Sequence, residues 1–145
     1  MAPLSGKLVA LSTVSDPVFA QKIMGDGFAI KPIEQITTVH APIDSTVVSL
    51  PSTKHAIGLK CSDGKEILIH IGIDTVGLNG KGFKTFVKQG ERVKQGSKLI
   101  SFDNDVLAKN KLDNTVMVIL LKGYDEIQLD VPYNSIIKRK IKLMD

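Results

Sequence analysis

The sequence has no tryptophan, seven other aromatic residues and a single cysteine in 145 residues. Aromatics at 5% are too sparse for the base-stacking platforms of single-stranded nucleic-acid binding. Cys61 cannot form an internal disulfide and lacks a C-x-x-C partner. It fits a reducing compartment and reads as a structural bystander. No apolar run approaches the roughly 20 residues of a membrane-spanning helix, so no direct membrane insertion is expected. No secretory pattern precedes the first strand, because Met1-Ala2-Pro3-Leu4 leads straight into structured sequence. The expected location is therefore cytoplasmic. The net charge is +4 and the pI about 9.2, but the lysines are scattered. The cluster Lys138, Arg139, Lys140 and Lys142 reads as solvated surface, with no nucleic-acid partner.

What is present is a succession of short apolar segments broken by Gly, Pro, Asp and Ser. That punctuation predicts an all-β protein, an antiparallel sandwich or barrel-sandwich hybrid. APLSGKLVAL at 2–11 aligns with APIDSTVVSL at 41–50, an internal duplication that implies two related units sharing a core. GERVKQGSKLISF at 90–102 adds a turn of the lipoyl-like hammerhead type. Helix is expected only as short turns. Val14–Met24 holds one, with Asp16 as cap and Pro17 at the first helical position. Phe83–Val87 and Asp105–Lys109 are two others. The 145 residues suit one domain.

The chemistry concentrates between Thr53 and Val76, which holds His55 and His70. Ser62-Asp63-Gly64-Lys65 is a hairpin turn signal, and the flanking strands are Ala56–Lys60 and Glu66–Ile71. A two-residue or four-residue loop pairs Ser62 with Lys65, His55 with Gly72 and Ile57 with His70. The two histidines then share one sheet face as diagonal neighbours. A three-residue loop would put them on opposite faces. Two facing imidazoles suit a phosphoryl carrier or a metal site, since the ring nitrogen is a nucleophile and a ligand. The alternative is a pair of partly buried histidines bonded to backbone. His40, before Ala41-Pro42, reads as an exposed loop histidine.

HIGIDTV at 70–76, TKHA at 53–56 and GDGFAIKP at 25–32 resemble the glucose-family IIA proteins and domains of the bacterial sugar phosphotransferase system. The likeness runs from about Ala2 to about Phe102 and weakens from Asp103 onward. It implies one IIA domain over residues 1–145 with a β-sandwich of two related halves. It implies a phosphotransferase component that needs no cofactor. By the resemblance His70 accepts a phosphoryl group on Nε2 from the small carrier HPr and passes it to a cysteine of a IIB domain. His55 stabilises, and the Thr53 hydroxyl bonds within the histidine pair. Val18, Phe19, Ile23, Met24, Leu68 and Val76 correspond to an apolar docking rim, with Asp16 and Asp74 facing the donor. Three departures stand out: Ser45 where the family usually has glycine, Pro51-Ser52 where an aromatic followed by proline is usual, and a divergent tail, in which Asn114-Thr115-Val116-Met117 lacks the usual proline and Val131–Asp145 follows no family pattern.

Two other functions fit some of the residues. A zinc hydrolase of the lysostaphin type would use His55, His70 and Asp74, but its H-x-H pair is missing, because Gly72 follows His70 by two. A regulatory IIA domain would gate a transporter or kinase through its phosphorylation state, and a metal shared by His55, His70 and a partner carboxylate fits such a complex.

Overall fold

The computed structural model describes residues 1–122 and 129–138. Eleven strands are described: β1 (Gly6–Ala10), β2 (Asp26–Pro32), β3 (Ile36–His40), β4 (Ser45–Ser49), β5 (Ala56–Lys60), β6 (Glu66–Ile71), β7 (Phe83–Thr85), β8 (Arg92–Val93), β9 (Lys98–Asp103), β10 (Val116–Lys122) and β11 (Ile136–Ile137). Two short helices join them, α1 (Pro17–Ala20) and α2 (Asn104–Lys109). Asp16 caps α1 as its position suggests: its Oδ1 accepts from the Val18 amide at 2.9 Å, and Pro17 opens the helix. Phe83–Val87 is not helical. Phe83–Thr85 pairs with β9 because Phe83 is buried against Phe102, which strand pairing satisfies and a solvent-side turn would not.

All pairing is antiparallel, in an eight-stranded sheet ordered β11-β1-β2-β10-β6-β5-β4-β8 and a three-stranded sheet ordered β3-β9-β7. The duplication is visible in this order, which corresponds end to end about the β10–β6 pair. The Lys7–Lys31 pair answers to Thr46–Lys60, and Gly6–Ile137 answers to Ser45–Val93. The main core lies on one side of the large sheet and includes Leu8, Ile30, Val47, Ile57, Ile69 and Phe102. A smaller cluster on the other side includes Val9, Phe19, Met117 and Ile119, with Leu68 packed against it. Alternating strand residues feed the two clusters.

Ser45 sits at the start of β4 and is not among the residues with positive φ, so it carries no left-handed strain. His40 closes β3 half-buried, its Nδ1 3.1 Å from the Thr38 carbonyl oxygen, rather than standing in an exposed loop. Pairing with β9 carries the chain to the Ala-Pro turn as strand. Cys61 is buried and free, and burial pushes its thiol up. Within the divergent tail, Ile136 and Ile137 pair with β1, while Arg139, Lys140 and Lys142 lie outside the described residues.

Candidate functional site

The hairpin carrying the histidines has a different register from the one its turn letters suggest. Ala56 pairs with His70, Ile57 with Ile69 and Lys60 with Glu66. The loop is the three residues 62–64, closed by Cys61 N–H donating to the Lys65 carbonyl at 2.8 Å. Gly64 supplies the positive φ of +92°, and Asp63 Oδ1 accepts from the Lys65 amide at 3.1 Å. A three-residue loop ending in a left-handed glycine is a regular hairpin solution. Ile57 thus points into the main core, away from His70, which shares its face with Leu68.

Strict alternation from this register would carry the His55 side chain away from His70. The chain leaves strand geometry just before β5. Lys54 adopts a left-handed φ of +60°, and its N–H donates to the Pro51 carbonyl at 2.9 Å. The resulting turn brings the His55 ring back to His70. Their ring centroids are 5.0 Å apart, nearly perpendicular at 79°. The expected proximity holds, through a backbone turn rather than strand register.

His70 is fixed on several sides. The Phe19 ring packs on it at 4.9 Å between centroids. Its Nδ1 lies 2.9 Å from the Gly72 carbonyl oxygen. A carbonyl only accepts, so the proton sits on Nδ1 and the Nε2 lone pair is left for chemistry. Gly72 reaches this position with φ +70°, anchored by its N–H donating to the Thr115 carbonyl at 2.9 Å. Thr53 Oγ1 is 2.7 Å from Nδ1 of His55. Burial, followed by the charge of His55, lowers the His70 pKa from 6.5, against smaller raising effects of the Gly72 carbonyl, Asp16 and Asp74. Burial also lowers that of His55. Both rings are therefore held toward the neutral form.

The expected rim divides in two. Val18, Ile23, Met24 and Val76 expose 41%, 68%, 42% and 53% of their surface. They lie on α1, the turn after it and the 3-10 turn Thr75–Val76–Gly77–Leu78 that follows β6. Phe19 and Leu68 belong to the smaller apolar cluster beneath, where Phe19 props the His70 ring. Asp16 and Asp74 both act on His70 through their charge. His40, Cys61 and His70 do not meet. Among the described residues no group of three or more His, Cys, Asp or Glu could hold a metal ion, so His55, His70 and Asp74 do not form a zinc ligand set. The residues that motif reading missed act through backbone: the Gly72 carbonyl and the left-handed Lys54. A glycine two residues after His70 was the available signal for the first.

The family model for the phosphoenolpyruvate-dependent sugar phosphotransferase system, EIIA 1, matches residues 1–125. The likeness thus extends past Phe102, through β10. Proteins named PTS system glucose-specific EIIA component are similar to this chain. That of Bacillus cereus is 46% identical over 125 residues, covering 86% of this chain and 74% of its own. That of Halalkalibacterium halodurans is 45% identical over 126 residues, covering 87% and 71%. Among solved structures, glucose permease IIA from Mycoplasma capricolum superposes with a TM-score of 0.88 at 36% identity, covering 99% of this chain and 90% of that one. The family match, the shared β-sandwich and the paired histidines agree, and the chain belongs to the EIIA 1 family, phosphocarriers of the sugar phosphotransferase system.

Proposed function

We propose that residues 1–145 form one carrier domain in which Nε2 of His70 takes a phosphoryl group from phospho-HPr and passes it to a cysteine of a IIB partner. The observation that supports this most is the hydrogen bond from His70 Nδ1–H to the Gly72 carbonyl, 2.9 Å long. It commits one nitrogen and leaves the other as nucleophile, on a ring kept neutral by burial. The Nε2 lone pair attacks phosphorus, and the bond to the donor imidazole breaks with its electron pair leaving on the donor. In the onward step a thiolate attacks, and the pair returns to His70.

Such transfers depend on positioning and charge stabilisation more than on covalent machinery. The Thr53 hydroxyl, 2.7 Å from His55 Nδ1, can donate to that nitrogen. His55 then carries its proton on Nε2 and donates it to a phosphoryl oxygen. The incoming group is already activated, so these roles call on no cofactor. The exposed Val18, Ile23, Met24 and Val76 suit a dry contact that lets a second active site press close. The relatives are named glucose-specific, which makes glucose the first sugar to test. The test is incubation with enzyme I, HPr and phosphoenolpyruvate followed by intact mass. Wild type gains one acid-labile phosphoryl group and His70→Gln gains none; phosphate retained on that variant overturns the assignment.

A further inference from the structure

The sheet face that carries His70 has a second polar region, further along it on β5, β4 and β8. Lys60 pairs with Thr46, and Thr46 pairs with Arg92. Directly paired residues project to the same side of a sheet, so these three side chains form a row across β5, β4 and β8. Alternate positions join them: Asp44 and Val48 on either side of Thr46, Ser62 beyond Lys60, and Lys94 beyond Arg92. Their intervening neighbours Val47, Leu59 and Val93 are buried in the main core on the opposite side. The row is not covered by the smaller apolar cluster, which packs on β1, β2, β10 and β6. What remains is a cleft of about 690 Å³ lined by these residues, in the size range of small-molecule sites.

The cleft is cationic. Lys60, Arg92 and Lys94 face one carboxylate, Asp44. Among the described residues Lys60 has only a long 3.9 Å ion-pair contact, to Glu66. Among the described residues neither Arg92 nor Lys94 has an ion-pair partner. Asp44 is held in place, its Oδ1 accepting from the Gln95 amide at 2.7 Å, which leaves Oδ2 to accept from a ligand hydroxyl. The hydroxyls of Thr46 and Ser62 add uncharged hydrogen-bonding groups. A guanidinium binds phosphate in two-pronged fashion, and ammonium groups add charge.

We propose that this cleft binds a phosphomonoester carried on a small polyol, with Arg92, Lys94 and Lys60 on the phosphate and Asp44 with Thr46 and Ser62 on the hydroxyls. The site is separate from the histidine pair. Glu66, opposite Lys60, and His70 lie four residues apart on β6, roughly 13 Å along the strand. The inference does not rest on the carrier reading, and its test does not use phosphoryl transfer.

The experiment is an amide-shift titration of the whole chain with a hexose 6-phosphate, the unphosphorylated hexose and inorganic phosphate, at low salt. Saturable shifts are expected at Thr46, Lys60 and Arg92 with the hexose 6-phosphate, weaker ones with inorganic phosphate and none with the hexose. Arg92→Ala and Lys94→Ala should each weaken binding about tenfold, and Arg92→Lys should fall between wild type and Arg92→Ala. These side chains are exposed, so thermal melts of the variants should match wild type. Shifts confined to His55 and His70, absence of saturation, or full affinity in Arg92→Ala overturns the site. Equal affinity for inorganic phosphate and the hexose phosphate overturns the polyol contacts, and binding of the bare hexose as tightly overturns the phosphate contacts.

Discussion

Gly72→Ala tests whether backbone geometry sets the chemistry of His70. Gly72 has φ +70°, and a Cβ there would lie 2.5 Å from Thr75 Cγ2, 2.8 Å from the Asp113 carbonyl oxygen and 3.3 Å from Leu107 Cδ2. The left-handed conformation costs alanine about 1–2 kcal/mol. The clash adds about 1–3 kcal/mol as overpacking, because Leu107 is fully buried and the Asp113 oxygen is backbone. A total of about 2–5 kcal/mol corresponds to a fall in melting temperature of roughly 5–20 °C for a domain of this size. The backbone must shift to relieve the contacts, and the Gly72 carbonyl shifts with it, away from His70 Nδ1. Nitrogen-15 NMR of the imidazoles reads the outcome: the proton should redistribute between Nδ1 and Nε2, and phosphoryl loading should slow even where the variant is fully folded. A melting temperature and a His70 tautomer both indistinguishable from wild type would refute the reasoning.

Three further outcomes follow from the site. His55→Gln should still load phosphate from HPr but pass it to IIB about a hundredfold more slowly; two-step transfer of labelled phosphate measures this, and equal loss of loading in His55→Gln and His70→Gln would instead indicate one shared site. Asp16→Lys with Asp74→Lys should slow loading about tenfold at low salt through the association rate, read by stopped-flow transfer from phospho-HPr, and unchanged rates remove both from the docking edge. Stability should decline as pH falls below 6.5, because the unfolded histidines protonate there while His55 and His70, with lowered pKa values, resist protonation in the fold. Urea titrations across that range should show the decline, and His70→Gln should flatten it in part.

Much of the architecture was legible because it rests on local rules. The bounds of β5 and β6, the Asp16 cap with Pro17, the helix near Asp105–Lys109 and the duplicated Ala-Pro strands all follow from turn letters and apolar patterning. The hairpin register was not legible. Ser62-Asp63-Gly64-Lys65 is compatible with loops of two, three or four residues, and those letters do not choose between them. The choice is made by the Cys61–Lys65 closure and by strands on both sides of the hairpin. Phe83–Thr85 was misread for a related reason: a short segment takes its conformation from the buried partner Phe102 rather than from propensity. Thr53, His55 and His70 come together as expected, but neither motif spacing nor alternation contains the left-handed turn at Lys54 that makes it happen.

The duplication gives each of the paired histidines a counterpart in the other half. Ala56 pairs with His70 in one half as Gly27 pairs with Ile119 in the other. By the same correspondence Asp26 answers to His55, and Gly25 to Lys54. Gly25 and Lys54 both have positive φ, but +143° and +60° are different conformations, and Asp26 stays in β2 paired with Leu120 whereas His55 precedes β5. In one half the Asp26 carboxylate accepts from the Gly27 amide and pairs with Lys22 at 3.1 Å, and the position equivalent to His70 is filled by buried Ile119. In the other the left-handed turn at Lys54 brings His55 against His70. The two halves thus differ in that these positions hold imidazoles in one and a surface carboxylate and a core isoleucine in the other. Both halves feed the smaller apolar cluster, the one with Ile119 contributing Met117, which pairs with His70, and the other Ile73 and Leu68, so the half without histidines forms part of the apolar floor that buries the His70 ring and holds it toward the neutral form.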